Sequence, residues 1–95
     1  MEDRVKAHVY IYGDVQGVFF RVSAKEQAEK LGITGFARNE KDGTVYIEAE
    51  GDEKKLDQFL EWCRNGPEAA QVEKIEVTEG PLKNFSGFNR DFADY

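Results

Sequence analysis

The chain has 95 residues, with 13 lysines and arginines against 19 aspartates and glutamates, for a formal net charge of −6. That length makes one domain, large enough to bury roughly two-thirds of its unfolded surface and to fold without staples. The acidic balance argues against nucleic acid or an anionic membrane as partner, since both draw on a Lys/Arg excess, and a single cysteine and a single histidine exclude an internal disulfide or a Cys/His-rich metal centre.

Val5 to Tyr12 alternates, with Val5, Ala7, Val9 and Ile11 on one face and Lys6, His8, Tyr10 and Tyr12 on the other, the pattern of a half-buried strand. Gly13-Asp14-Val15-Gln16-Gly17-Val18 follows as a loop. From Phe20 the period becomes helical: Phe20, Ala24, Ala28 and Leu31 share a face, and Gly32 sits where a C-terminal cap glycine belongs. Ile33 to Asn39 reads as a second strand, Asp42-Gly43 as a hairpin turn and Thr44 to Glu50 as a third strand with Val45, Ile47 and Ala49 inward. Asp52 is placed to cap a second helix, whose stripe is Leu56, Phe59, Leu60 and Cys63 and which stops at Asn65-Gly66-Pro67. Val72 to Thr78 is a fourth strand. The tail from Gly80 to Tyr95 is too apolar to be free, at Phe85, Phe88, Phe92 and Tyr95, and predicts a further short strand packed on the body.

The order β-α-β-β-α-β with right-handed crossovers gives an α+β, ferredoxin-like sandwich: an antiparallel-dominated sheet, both helices on one face, core strand order 4-1-3-2, plus a short C-terminal strand. The first and second strands then run parallel with the third between them. Their C-terminal ends lie on one edge, about 10 Å apart, and carry the Gly13–Arg21 loop and Asn39. No apolar run approaches the roughly 18 residues of a membrane span, and the opening Met-Glu-Asp-Arg is no signal peptide. The expectation is a monomeric cytoplasmic protein.

Fold alone does not fix function; the loop carries more. A glycine-flanked turn from strand into helix can aim several backbone N–H groups at one point, and the helix N-terminus adds about half a positive charge there. Arg21, in the first helical turn, can add a bidentate contact to a phosphate. The bland alternative is that Gly13 and Gly17 only turn the chain and Arg21 is solvated. Asn39 has two readings also: turn chemistry beside the Asp-Gly hairpin, or a neutral amide orienting a water. Charge favours an anion in this half: residues 1–40 hold six basic and six acidic side chains, residues 41–95 seven and thirteen.

The chain as a whole resembles the acylphosphatase family. The resemblance rests on Gly13-Asp14-Val15-Gln16-Gly17-Val18-Phe19-Phe20-Arg21, which matches the signature G-x-V-Q-G-V-x-F-R. It is reinforced by Thr34-Gly35-Phe36, Arg38-Asn39, Asp42-Gly43-Thr44-Val45, Glu50-Gly51 and Gly66-Pro67, in the family's order and spacing over about residues 5–80. It implies hydrolysis of the carboxyl–phosphate bond of acyl phosphates to a carboxylate and inorganic phosphate, with no metal, no cofactor and no phosphoenzyme. It places the phosphate-binding arginine on Arg21, the backbone phosphate loop on Val15, Gln16, Gly17, Val18, Phe19 and Phe20, and the water-orienting asparagine on Asn39. One departure is Phe19, where the family usually has glycine: its bulk narrows the pocket, adds an apolar shelf for an acyl group, or points outward.

The residue inventory agrees with this chemistry. An acyl phosphate has a good leaving group, so its hydrolysis needs positioning and charge stabilisation more than an acid or a nucleophile, and the loop holds no Cys, His or Ser. His8 reads as structural, Cys63 and Trp62 as core and core rim, and Arg38 as a salt-bridge partner on the face opposite Asn39's. Tyr10, Tyr12 and Tyr46 could form an aromatic sheet face, but the basic and aromatic signature of an RNA-binding sheet is missing. The competing reading is an anion-binding regulatory or carrier module of the same fold without catalysis. The acylphosphatase-like region also resembles a domain that begins larger carbamoyl-phosphate-using maturation proteins, and the length favours the stand-alone enzyme.

Overall fold

The computed structural model describes residues 4–89. It contains β1 (Arg4–Asp14), α1 (Phe20–Leu31), β2 (Thr34–Asn39), β3 (Val45–Asp52), α2 (Glu53–Asn65), β4 (Gln71–Gly80) and β5 (Phe88–Asn89). The sheet order is β4-β1-β3-β2-β5. β1 and β2 both pair antiparallel with β3, with Val9 opposite Ile47 and Asn39 opposite Val45. The expected α+β, ferredoxin-like arrangement is therefore present, and β1 and β2 deliver their C-terminal ends to the same edge.

Both helices end and begin where the sequence marks them. Gly32 takes a left-handed conformation and its N–H reaches the carbonyls of Ala28 and Glu29. The Asp52 carboxylate accepts the N–H of Lys55 at 3.2 Å, closing the first turn of α2. The core lies between the helices and one sheet face: Ala7, Val9, Ile11, Val45, Ile47 and Ala49 from the sheet meet Phe20, Ala24, Ala28, Leu56, Phe59 and Cys63 from the helices. The alternation of β1 and β3 and the 3–4 spacing of α1 and α2 thus point at one another, as apolar burial requires.

The tail adds β5, which pairs parallel with β2, Gly35 opposite Phe88. Phe88 enters the core against the Phe59 ring, at 5.9 Å between centroids. Phe92 and Tyr95, also expected to pack, lie outside the described residues.

The other sheet face differs from the simple outward face that alternation suggests. Lys6, Tyr46, Glu48 and Glu50 point away from the helices yet are buried. Over Lys6 and Glu50 the cover is the segment between β4 and β5, which crosses that face. Glu50 accepts the backbone N–H groups of Lys83, Asn84 (3.1 Å) and Phe85 (2.9 Å). Phe85 lies edge-on to Phe36, at 5.6 Å between centroids, with the Lys6 ammonium over its ring. Beneath it Lys6 Nζ sits 2.6 Å from Glu48 Oε1, and Tyr46 donates to Glu48 Oε2 at 2.6 Å.

Candidate active site

The β1–α1 connection is fixed at both ends by burial. Val15 and Phe20 are each 1 % exposed. The Phe20 ring packs on Trp62 of α2 at 5.3 Å between centroids. Between these anchors the backbone uses left-handed conformations at Gly17 (φ +75) and Phe19 (φ +65). Only glycine adopts that region freely, and a Cβ on Gly17 would meet no atom within 4 Å, so Gly17 is required by its turn and not by crowding. Gly13 is different. A Cβ there would lie 2.2 Å from the Gln71 carbonyl oxygen, at the register shift between β1 and β4, so Gly13 serves strand packing.

The N-terminus of α1 is unusual in what it lacks. Phe19 at the cap position makes no side-chain capping bond, and the first turn holds no acidic residue. The N-terminus of α2, by contrast, is claimed by Asp52 and Glu53. The first-turn amides of α1 thus keep their donors free of side-chain caps, with the helix dipole behind them.

These features open onto a pocket of about 300 Å³ lined by Val15, Gly17, Phe19, Phe20, Arg21, Val22 and Asn39. That is the lower end of the size range of small-molecule sites. Of the residues expected in the site, the pocket brings together Arg21, Asn39, Val15, Gly17, Phe19 and Phe20. Gln16 and Val18 do not line it. Val22 is an addition: it follows Arg21 by one position, and nothing in the periodicity of α1 separates it from the helix's outer face. Phe19 lines the pocket while 74 % exposed, so it stands at the rim.

Asn39, the last residue of β2, contributes a buried Oδ1 with no hydrogen-bond partner among the described residues. An orphaned acceptor of this kind costs about 1–3 kcal/mol unless something on the pocket side meets it. Its neighbours are engaged elsewhere: Arg38 Nε holds Glu40 Oε2 at 2.5 Å, the salt bridge anticipated for Arg38.

Gln16 turns away from the pocket and towards that same hairpin. Its Nε2 donates to the carbonyls of Glu40 at 2.7 Å and Thr44 at 2.9 Å. The loop geometry that places this amide could not be read from sequence.

Among the described residues, the pocket wall carries no Ser, Cys, His or carboxylate. Cys63 is fully buried, and that burial pushes its thiol well above the ordinary range. His8 belongs to the network on the far sheet face, where its Nδ1 lies 2.7 Å from Tyr46 Oη. Tyr46 is 7 % exposed and boxed in by Tyr10, Phe36 and Arg38, which leaves no open stacking platform on its ring. Among the described residues no three His, Cys, Asp or Glu side chains converge as metal ligands, and no helix is long and apolar enough to cross a membrane.

Comparison with known proteins agrees with this geometry. Residues 7–92 match the acylphosphatase family model. An acylphosphatase of Pelotomaculum thermopropionicum is 43 % identical over 90 residues, covering 94 % of this chain and 98 % of that one. The structure of an acylphosphatase from Coxiella burnetii superposes with a TM-score of 0.89 at 34 % identity, over 93 % of each chain. Full-length HypF contains a similar unit, with a TM-score of 0.85 at 27 % identity, covering 95 % of this chain and 12 % of that one. With the signature loop, the sheet order and the full span of the match in agreement, the chain belongs to the acylphosphatase family.

Proposed function

We propose that this chain hydrolyses the carboxyl–phosphate bond of acyl phosphates by direct attack of water. The phosphate is held by the Val15–Phe20 backbone and Arg21, and the water by Asn39. The observation that carries the assignment is the buried, unpartnered Oδ1 of Asn39 in the pocket that also holds Arg21 and the uncapped start of α1. Donors on one wall suit an anion. A lone acceptor on another suits a water, whose O–H donates to it while the lone pair faces phosphorus.

In this reading the water oxygen bonds to phosphorus as the bond to the acyl oxygen breaks. The carboxylate leaves with the electron pair, and the water's proton passes to a phosphate oxygen. Negative charge spreads over the equatorial oxygens as this happens, where the Arg21 guanidinium and the loop amides bind it more tightly than in the ground state. No phosphoenzyme forms, in keeping with a wall that offers no nucleophile among the described residues. A carboxylate leaving group asks for no general acid.

On this reading the protein acts as a monomer in the cytoplasm on small diffusing acyl phosphates and needs no metal, cofactor, nucleic acid or membrane. The acid-rich surface and the single unpaired cysteine support an aqueous, reducing setting. Hydrolysis of benzoyl phosphate with excess chelator tests the proposal. Metal-independent turnover is expected. Binding of inorganic phosphate in an NMR titration without turnover identifies instead a non-catalytic module of the same fold.

A further inference from the structure

The two halves of the candidate site meet in the sheet only through β3, where Ile11 of β1 and Asn39 of β2 both stand opposite Val45. The loop follows β1 and Asn39 ends β2, and β3 lies between those strands. Each half is well anchored by itself, the loop by Val15 and Phe20 in the core and Asn39 by its place opposite Val45. The sheet sets where β1 and β2 end, but residues 15–19 lie beyond its register, and in-line attack tolerates little error in where they stand against Asn39: a misplacement of about 1 Å can cost about 10²-fold in rate.

The Gln16 side chain spans this gap. Gln16 Nε2 carries two hydrogens, and it uses them on the carbonyls of Glu40 (2.7 Å) and Thr44 (2.9 Å). Two carbonyl acceptors can be met only by the NH₂ end of the amide, so its orientation is determined. Those carbonyls form the neck of the β2–β3 hairpin, where Glu40 N donates to Thr44 O at 2.9 Å and Gly43 N to Glu40 O at 3.2 Å. Thr44 is held in turn by Asp42, whose Oδ1 accepts both its N–H (3.0 Å) and its hydroxyl (2.6 Å). The residue directly before this neck is Asn39.

We infer that Gln16 is a positioning residue that acts through Asn39. Its side chain sets the distance between the phosphate loop and the amide that holds the attacking water. The inference rests on the hydrolytic reading above and adds to it a division of labour within the loop: Val15, Gly17, Phe19 and Phe20 line the pocket that takes the phosphate, and the side chain of Gln16 faces the hairpin. Loss of the latch therefore lowers the rate of attack and leaves phosphate affinity nearly as it was.

The test uses two near-isosteric variants that lack the donor, Gln16→Glu and Gln16→Met, each alone and combined with Asn39→Ala. Benzoyl phosphate hydrolysis, competitive inhibition by inorganic phosphate and thermal stability are measured on all of them. We expect kcat to fall by about 10- to 100-fold while the inhibition constant for phosphate stays within about threefold. Adding Asn39→Ala to a Gln16 variant should cost far less than adding it to the wild type, since residues acting as a unit are not additive. A phosphate inhibition constant that rises in step with the loss of kcat, or losses that multiply across the double variant, overturns the inference.

The side-chain amide resonances of Asn39, recorded with phosphate present, supply a readout that does not depend on turnover. They should shift in both Gln16 variants, and unchanged resonances refute the latch. A wild type that hydrolyses nothing refutes the hydrolytic reading instead, whatever those resonances do.

Discussion

Phe19 and Phe20 are consecutive in the chain and opposite in fate. Phe20 is 1 % exposed, with its ring against Trp62. Phe19 is 74 % exposed and held at φ +65. The helix begins between them, so one residue fastens the loop to the core and the other makes the turn that exposes the first amides of α1.

This contrast gives opposite expectations for stability. Phe20→Ala should cost about 3–5 kcal/mol in urea denaturation, because it removes a buried ring from a well-packed site. Phe19→Gly should leave stability within about 1 kcal/mol of wild type. The left-handed conformation costs a non-glycine residue roughly 1–2 kcal/mol, and relief of that strain offsets the backbone entropy that glycine loses on folding. A Phe19→Gly loss as large as that of Phe20→Ala would mean the exposed ring supports the fold.

The strap across the far sheet face predicts an acid-sensitive contribution. Burial by itself raises the pKa of Glu50, but the N–H groups of Lys83, Phe85 and Asn84 outweigh it and hold the carboxyl below its ordinary value of 4.5. For Glu48 burial likewise pushes upward, and Lys6 and Tyr46 bring the net shift below 4.5. Because both folded values are lowered, the unfolded chain takes up protons first as the pH falls. The stabilisation is complete above the unfolded value and is lost as the pH drops below it through the folded values. Glu50→Gln should therefore cost on the order of 3 kcal/mol at pH 7, and the gap in Tm between variant and wild type should narrow as the pH falls below the ordinary carboxylate value of 4.5. A gap independent of pH would show that the carboxylate's charge is not what holds the strap.

The Lys6–Glu48 pair makes a separate prediction. Its ammonium has no exposed surface, the carboxylate is 10 % exposed, and the two lie 2.6 Å apart. Removing one member leaves the other charge buried without its partner, so Lys6→Met should cost about 3–5 kcal/mol. Lys6→Met combined with Glu48→Gln should be more stable than Lys6→Met alone, because no unpaired charge remains and the amide oxygen can still accept from Tyr46. Equilibrium denaturation of the two singles and the double decides this, and simple additivity of the losses would contradict it.

Most of the fold was legible because its elements bury a single face with a clear period. The alternation of Val5, Ala7, Val9 and Ile11, the stripe from Leu56 to Cys63, and the caps at Gly32 and Asp52 all correspond to observed features. The covered sheet face was not legible. Lys6, Glu48 and Glu50 have the composition of a solvated face, and only the path of residues 81–87 buries them. The pairing of β5 was hidden for a different reason: a two-residue strand carries no period. At the site, the signature loop pointed to Arg21 and the Arg38-Asn39 match to Asn39, and the strand order put both on one edge. What sequence could not supply was direction, that Gln16 turns to the hairpin and that Phe19 stands at the rim, because each follows from the particular left-handed turns of the loop.

The central claim is that Arg21 and the loop amides bind the phosphate and its developing charge while Asn39 serves the water. The most direct measurement is the hydrolysis of benzoyl phosphate by wild type, Arg21→Ala and Asn39→Ala, with chelator present and inorganic phosphate as competitor. Arg21→Ala should lower kcat/KM by at least about 10²-fold, as expected for the loss of a principal charge-stabilising donor, and should weaken phosphate inhibition. Asn39→Ala should lower kcat with phosphate inhibition largely preserved. Turnover by both variants at the wild-type rate would contradict the account.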